Sequence, residues 1–257
     1  MTNQLDNTLK YGKLKKKGNV RVVKTALITG ASRGIGRALS NYFAKQGYSL
    51  ILIAKHQTHL DTLEQELKRD FPETCVETHS VDFTQPETVE VKLDKILEEQ
   101  DSIEVLVNSA GVLMAGHVEL TTQHLFELIN VNLLSTMLVC NKVCKKMQQR
   151  GYGEIFNLGS TAGLAPVAKI AAYSATKSAI VSYSQSLYSE MLEHNITVCC
   201  LCPSVVNTDM TNDGRIDNTL KIDTDDLVKA VDFARSLSPG AAMSVFPIRC
   251  KVMDKLK

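Results

Sequence analysis

Short apolar runs that do not alternate, set between amphipathic helical patterns, constrain this chain more than any other feature. Thr25–Thr29, Ser49–Ala54, Cys75–Ser80, Val105–Asn108, Glu154–Leu158 and Thr197–Cys202 read as strands, with a last one near Met243–Ile248. A strand with one wet face alternates apolar and polar residues; a run such as Leu50-Ile51-Leu52-Ile53 needs cover on both faces. Helical periodicity fills the gaps, from Gly34 to about Gln46 and over Thr58–Asp70, Pro86–Gln100, Thr122–Arg150, Ala171–Glu193 and Thr224–Leu237. Phe71-Pro72 stops one helix, and Gly151-Tyr152-Gly153 and Ser238-Pro239-Gly240 mark turns. This alternation predicts an α/β fold, a single doubly wound parallel β-sheet with helices on both faces.

Between the first strand and the first helix stands Thr29-Gly30-Ala31-Ser32-Arg33-Gly34-Ile35-Gly36. Glycines there permit a tight turn, close approach of backbone to a pyrophosphate, and close helix–strand packing. The helix beginning at Gly34 aims its first N–H groups at an anion. An ordinary βα turn also uses glycine, and the spacing is Gly-x-x-x-Gly-x-Gly rather than Gly-x-Gly-x-x-Gly. Its place after the first strand makes a dinucleotide site, in a Rossmann-type sheet, the expected use. An acid at the end of the second strand would hold ribose hydroxyls, whereas this chain has Ala54-Lys55-His56. Lys55 with Arg33 puts two cations toward one corner, which favours NADP(H) through its 2′-phosphate.

The 257 residues suffice for one large domain, and a net charge of +1 gives no reason to expect nucleic acid as a partner. The longest apolar candidate, Leu125 to Cys140, is broken by Glu127, Asn130 and Asn132, so no membrane span is expected. With no N-terminal apolar stretch either, the expected location is cytoplasmic. Seven cysteines without framework spacing read as reduced core thiols. No Cys-x-x-Cys occurs, and His56 and His59 lack a partner cluster, so no metal site is expected. Residues 1–20 carry Lys10, Lys13, Lys15, Lys16 and Lys17 with little periodicity and read as a basic, flexible arm ahead of a domain spanning 21–257.

Near the other end, Tyr173 and Lys177 lie four apart in a helical pattern and so share a face. A phenol is a poor acid–base group at neutral pH, and a nearby cation favours its ionised form. Ser160, from a separate segment, can hold a substrate oxygen while Tyr173 exchanges a proton with it. That is equipment for interconverting an alcohol and a carbonyl. Taken singly, each residue also has a structural reading: a capping serine, a packed phenol, a helix lysine.

Together these segments resemble the short-chain dehydrogenase/reductase family from about Thr25 to Thr208. Thr29 to Gly36 is similar to the family's glycine turn, and Asp82 matches its adenine-contacting position. Asn108-Ser109-Ala110-Gly111 resembles the Asn-Asn-Ala-Gly motif, with Ser109 for the second Asn. The resemblance implies Asn132, Ser160, Tyr173 and Lys177 as catalytic residues. It implies cofactor contacts from Gly30, Ser32, Arg33, Gly34, Ile35, Gly36, Lys55, Asp82, Asn108, Ala110 and Gly111, with Tyr173 and Lys177 joining them. Pro203, Val206 and Thr208 belong to the segment Pro203-Ser204-Val205-Val206-Asn207-Thr208, similar to one that holds the nicotinamide amide. Ser204 stands where the family usually has glycine.

The implied protein is a single-domain NADPH-dependent carbonyl reductase or alcohol dehydrogenase acting on a small ketone or aldehyde. By the same resemblance Lys177 bonds the nicotinamide ribose and Asn132 holds a water joining Lys177 to solvent. A 3-oxoacyl-thioester reductase is the rival enzyme, although the C-terminus lacks the Val-Asp-Gly-Gly ending of many such reductases. A catalytically silent NADP-binding regulatory protein is the rival of another class. The long helices at Thr122–Arg150 and Ala171–Glu193 carry more apolar face than one sheet covers, so a homodimer or homotetramer is expected. Leu113, Met114, Leu164, Val167, Val205 and Met210 flank the catalytic motifs and either line an apolar pocket or pack the core.

Overall fold

The computed structural model describes residues 13–16, 19–22, 24–116 and 118–255, with side chains from Lys24 onward. The strands are β1 (Lys13–Lys16), β2 (Asn19–Val22), β3 (Thr25–Thr29), β4 (Ser49–Ala54), β5 (Val76–Ser80), β6 (Val105–Asn108), β7 (Gly153–Leu158), β8 (Ile196–Pro203) and β9 (Val245–Ile248). The first helices are α1 (Gly34–Lys45), α2 (Gln57–Asp70), α3 (Pro86–Glu98), α4 (Thr122–Ile129) and α5 (Ser135–Arg150). They are followed by α6 (Thr161–Leu164), α7 (Ala171–Met191), α8 (Thr224–Ser236) and α9 (Lys251–Lys255). Seven strands form one sheet in the order β5-β4-β3-β6-β7-β8-β9, and every neighbouring pair is parallel. The expected doubly wound sheet is therefore present.

Strand residues feed two layers in turn, which explains why the strands do not alternate with polar residues. Ala26, Ile28, Leu50, Leu52, Val105 and Val107 pack with Phe43 of α1, Leu63 of α2 and Val231 of α8. Leu27, Ile51, Ile53 and Leu106 pack with Leu93 of α3, Val143 of α5 and Leu187 of α7. Each fully buried Leu or Ile contributes about 1.5–3 kcal/mol, so a polar residue in either set would be costly. The chain lays β4 and β5 on one side of β3, then reverses to build β6 to β9 on the other. The crevice above such a reversal, at the strands' C-terminal ends, is where an open α/β sheet accepts a ligand.

Two expectations change in detail. The pattern over Thr122–Arg150 is not one regular α-helix, because a five-residue π turn, Asn130–Leu134, separates α4 from α5. A π turn admits an extra residue and rotates the next helical segment, so helical periodicity alone conceals it. Most of the basic arm lies outside the described residues, but Lys13–Lys16 and Asn19–Val22 pair antiparallel as a second, two-stranded sheet. All seven cysteines are free, six of them buried and Cys75 exposed. Among the described residues no helix is long and apolar enough to cross a membrane, and no group of side chains is arranged to hold a metal.

Candidate active site

A cleft of about 220 Å³ opens above the β3–β6 reversal, lined by Gly30, Ser32, Arg33, Gly34, Ile35, Lys55, Asp82, Ala110, Gly111 and Thr208. Its floor needs glycine. Gly30 has φ +64°, and a Cβ there would lie 2.7 Å from the backbone of Ser109 and Ala110. A Cβ on Gly36 would lie 2.2 Å from the Gly30 carbonyl oxygen. Thr29 ties the two loops together, its hydroxyl oxygen accepting from the N–H groups of Ser109 and Ala110 at 3.2 and 3.3 Å. Helix α1 has no acid in its first turn and no side-chain cap from Arg33, leaving its first N–H groups without a side-chain acceptor. These features fit the pyrophosphate of a dinucleotide.

Three of the expected cofactor residues support the cleft from beneath. Gly36 is buried under the turn, Val206 is buried among Ile222, Leu227 and Cys250, and Asn108 is buried in the sheet. The Asn108 amide donates to Asn157 Oδ1 at 2.9 Å and to Cys140 Sγ at 3.2 Å, a link between the middle strands and α5. Pro203 ends β8, and its carbonyl accepts from the Ser160 hydroxyl at 3.4 Å. Ser204 donates its N–H to the Ile248 carbonyl at 2.8 Å. Among the described residues only Lys169 and Asn195 are non-glycines with positive φ, so Ser204 sits where no glycine is required.

Both cations of the phosphate corner already have anionic neighbours. Lys55 Nζ lies 3.0 Å from Asp82 Oδ2, and Arg33 lies 3.8 Å from Asp209 on the loop after β8. Burial works against the charged form of Asp82, but the N–H and hydroxyl of Thr84 and the Lys55 ammonium outweigh it and lower the carboxyl's pKa. His56 and His59 line the same cleft, their rings 5.5 Å apart and edge to face. The metal reading of these two histidines misses this placement; His56 follows Lys55 directly and His59 lies in the first turn of α2. Asp209 and Met210 also reach the cleft, brought there by a loop whose neck is closed by Asn207 N–H to the Ile222 carbonyl and Ile222 N–H to the Val205 carbonyl.

Beyond this cleft the catalytic candidates converge. Ser160 follows β7 and caps α6, its oxygen accepting from Ala162 N–H at 3.1 Å. Gly163 lets α6 press against α7, since a Cβ there would lie 2.6 Å from the backbone of Lys177. That contact sets Ser160 against the helix carrying Tyr173. Burial raises the pKa of Tyr173, and its hydrogen bond with Ser160 acts in the opposite direction. Lys177 is only 5 % exposed and donates to the Leu158 carbonyl at 2.6 Å. Burial pushes its pKa down to about 8, against the opposing influence of Cys200 and Cys202. The expected lowering of the Tyr173 pKa by Lys177 is not found. The ammonium lies 5.8 Å from the ring centroid and is bound to Leu158, so burial dominates the phenol.

Asn132, in the π turn, acts as a clamp. Its Oδ1 accepts from Val112 N–H at 2.8 Å, while Nδ2 donates to the Val112 carbonyl at 2.9 Å and to the Thr176 hydroxyl at 3.3 Å. Both amide hydrogens are therefore committed. A Cβ on Gly111 would lie 3.4 Å from Asn132 Oδ1 and 3.8 Å from Lys177 Nζ, so glycine leaves the space between those groups open.

The family model for short chain dehydrogenases matches residues 24–219. An uncharacterized oxidoreductase of Staphylococcus saprophyticus is 31% identical over 82% of this chain and 90% of its own length. A 3-oxoacyl-[acyl-carrier-protein] reductase of Chlamydia trachomatis is 32% identical, covering 74% of this chain and 77% of the relative. A short-chain dehydrogenase from Sphingobium yanoikuyae, solved in complex with NADPH, superposes with a TM-score of 0.75 at 30% identity, over 91% of this chain and 92% of that one. The chain is an oxidoreductase and belongs to the short-chain dehydrogenase family.

Proposed function

We propose that this oxidoreductase is an NADP(H)-dependent carbonyl reductase, with Tyr173 as the proton donor to the substrate oxygen. The observation that carries the reading is Ser160 close enough to Tyr173 to act on its phenol, with buried Lys177 one turn away, beside a glycine-floored cleft. NADP(H), whose hydride is exchanged with the carbonyl carbon, is the cofactor that the glycine turn, Arg33 and Lys55 suit, and the Sphingobium relative was solved with NADPH.

Tyr173, its pKa raised by burial, is protonated at neutral pH and is therefore ready to donate. Ser160 is held to Ala162 and Pro203, so its hydroxyl is in place to stabilise negative charge on the substrate oxygen. Lys177, one turn from Tyr173 and close to Gly111 of the cleft, would hold the ribose of the cofactor. Asn132 is first a positioning residue, joining the Val112 loop to α7 through Thr176. The space left by Gly111 suits a water between Asn132 Oδ1 and Lys177 Nζ, through which the proton is replaced.

The Chlamydia relative supports a second reading, reduction of a 3-oxoacyl thioester. NADPH oxidation against a panel of uncharged ketones, aldehydes and 3-oxoacyl thioesters separates the two. Turnover of the ketones is expected; tight NADPH binding without turnover of any member of the panel would support the regulatory reading instead. Assembly as a homodimer or homotetramer fits exposed Phe126 and Ile129 on α4.

A further inference from the structure

Two cations, Arg33 and Lys55, and three carboxylates, Asp82, Glu127 and Asp209, line the cleft. Its charged lining is therefore not basic, although NADP(H) brings a diphosphate and a 2′-phosphate to it. The two cations are held differently. Lys55 Nζ lies 3.0 Å from one oxygen of Asp82, whose other oxygen accepts from the N–H and hydroxyl of Thr84 at 3.0 and 2.8 Å. Arg33 and Asp209 approach only to 3.8 Å, with side chains 65% and 74% exposed. At that distance they attract through space without a hydrogen bond. An exposed pair of this kind is weak and open to exchange.

The backbone nevertheless keeps Asp209 at the cleft. Its loop seats against the glycine turn, where a Cβ on Gly34 would lie 3.1 Å from Thr208 Cγ2. Thr211 N–H donates to the Thr208 carbonyl at 3.0 Å, and the Thr211 hydroxyl donates to the carbonyls of Thr208 and Val206. Buried Lys221 donates to the Thr211 carbonyl at 2.6 Å and to Asn218 Oδ1 at 2.8 Å. The loop around Asp209 is thus tied down, and the long Arg33 side chain is the partner that can turn away. A guanidinium bonds a phosphate through paired N–H groups, a stronger attachment than an attraction across 3.8 Å to a carboxylate. That exchange forfeits the Arg33–Asp209 attraction, a cost that NAD(H), without a 2′-phosphate, does not incur.

We propose that Asp209 is a specificity-determining residue of the cofactor cleft, competing with the 2′-phosphate for Arg33 and so holding down the preference for NADP(H) over NAD(H). The proposal rests on the reading of Arg33 and Lys55 as the cations that suit the 2′-phosphate.

Calorimetric titration of NADPH and NADH into the wild type, Asp209→Asn and Asp213→Asn tests it without relying on turnover. Asp213 sits on the same loop, is bound to Arg215 at 2.6 Å and does not line the cleft, so it controls for loss of any loop carboxylate. Asp209→Asn is expected to tighten NADPH binding by about two- to fivefold, the scale of one exposed ion pair, with NADH unchanged. The gain should fade at about 0.5 M salt, where exposed charges are screened. Asp213→Asn should alter neither cofactor. In an Arg33→Ala background the gain from Asp209→Asn should disappear. Unchanged or weaker NADPH binding in Asp209→Asn, or equal gains for both cofactors, would overturn the proposal. So would a gain of the same size in the Arg33→Ala background, because Arg33 would then not be what the two anions contest. Equal binding of NADPH and NADH by the wild type, with the Asp209→Asn gain confined to NADPH, would uphold the competition and sink the NADP(H) preference. Binding of neither cofactor would sink both.

Discussion

The two ends of the sheet treat buried charge in opposite ways. At the N-terminal ends of the strands, Glu104 is 1 % exposed and accepts from Thr25 N–H, from Ser102 Oγ and from Arg150. Nearby, Arg235 donates to Glu154 at 2.7 Å and to the hydroxyls of Tyr42 and Tyr48. Burial disfavours the charged form of Arg235, but Glu154 and Tyr48 outweigh it and raise its pKa above the usual range. Groups bound in this way join α1, α5, α8 and the strands, and little of their hydrogen-bonding capacity remains for a ligand. At the C-terminal ends, Lys177 is buried against one carbonyl, and burial lowers its pKa. A saturated charge holds a fold together, whereas an under-compensated one is costly to stability and available for chemistry.

The largest expected effect is at the C-terminal ends of the strands, where the proposed chemistry lies. Tyr173→Phe removes only a hydroxyl, so turnover should fall by about a hundredfold or more while NADPH binding and the melting temperature hold. Ser160→Ala should lower turnover with the same sparing of NADPH, and Lys177→Ala should damage both. Stopped-flow reduction with fluorescence titration of NADPH separates these patterns. Near wild-type turnover in Tyr173→Phe would remove the proton donor from the proposed mechanism.

A contrast in stability should come next. Glu104→Ala leaves Arg150 and Thr25 N–H without their acceptor and should cost about 3 kcal/mol in denaturant unfolding, with turnover per folded molecule unchanged. Lys177→Met should shift stability the other way, gaining roughly 1–3 kcal/mol at pH 7 from the removed burial cost. The sign comes from the depressed lysine pKa. Below about pH 8 both folded and unfolded states carry the proton and the full cost is present. Between there and the unfolded value near 10.5 the folded state sheds its proton first, so the unfolded state binds more protons and wild-type stability rises with pH. Loss of stability in Lys177→Met at pH 7 would break the comparison between the two ends.

The smallest effect is expected at the phosphate corner. Arg33→Ala and Lys55→Ala should each weaken NADPH binding by about 1.5 kcal/mol, the lower end for a hydrogen bond to a charged group, and leave NADH binding nearly unchanged. The modest size reflects exposure and the carboxylates of Asp209 and Asp82, which already occupy these cations. Equal losses for both cofactors would remove the 2′-phosphate from the account of this corner.

Much of this arrangement was legible because it is local. Glycines at 30, 34 and 36 act within one turn, Tyr173 and Lys177 are neighbours through helical geometry alone, and five-residue apolar runs announce strands covered on both sides. The π turn was not legible, because its signal is only polar Asn130 and Asn132 interrupting an apolar face. Nor was the direction of the Tyr173 pKa, which depends on burial and on where the Lys177 ammonium settles.

The amino-acid sequence by itself determined the layered α/β sheet, the glycine turn after β3 and the one-turn spacing of Tyr173 and Lys177, since each depends on residues within a few positions of one another. Only the tertiary structure decided what those residues meet. Asp82 faces Lys55, Asp209 approaches Arg33, Asn132 grips Val112 and Thr176, and Leu164–Ala168 stays in water shortly after Ser160. Each of these outcomes depends on segments that are distant in the chain and adjacent in the fold, where packing of the two core layers, rather than local preference, sets which groups meet.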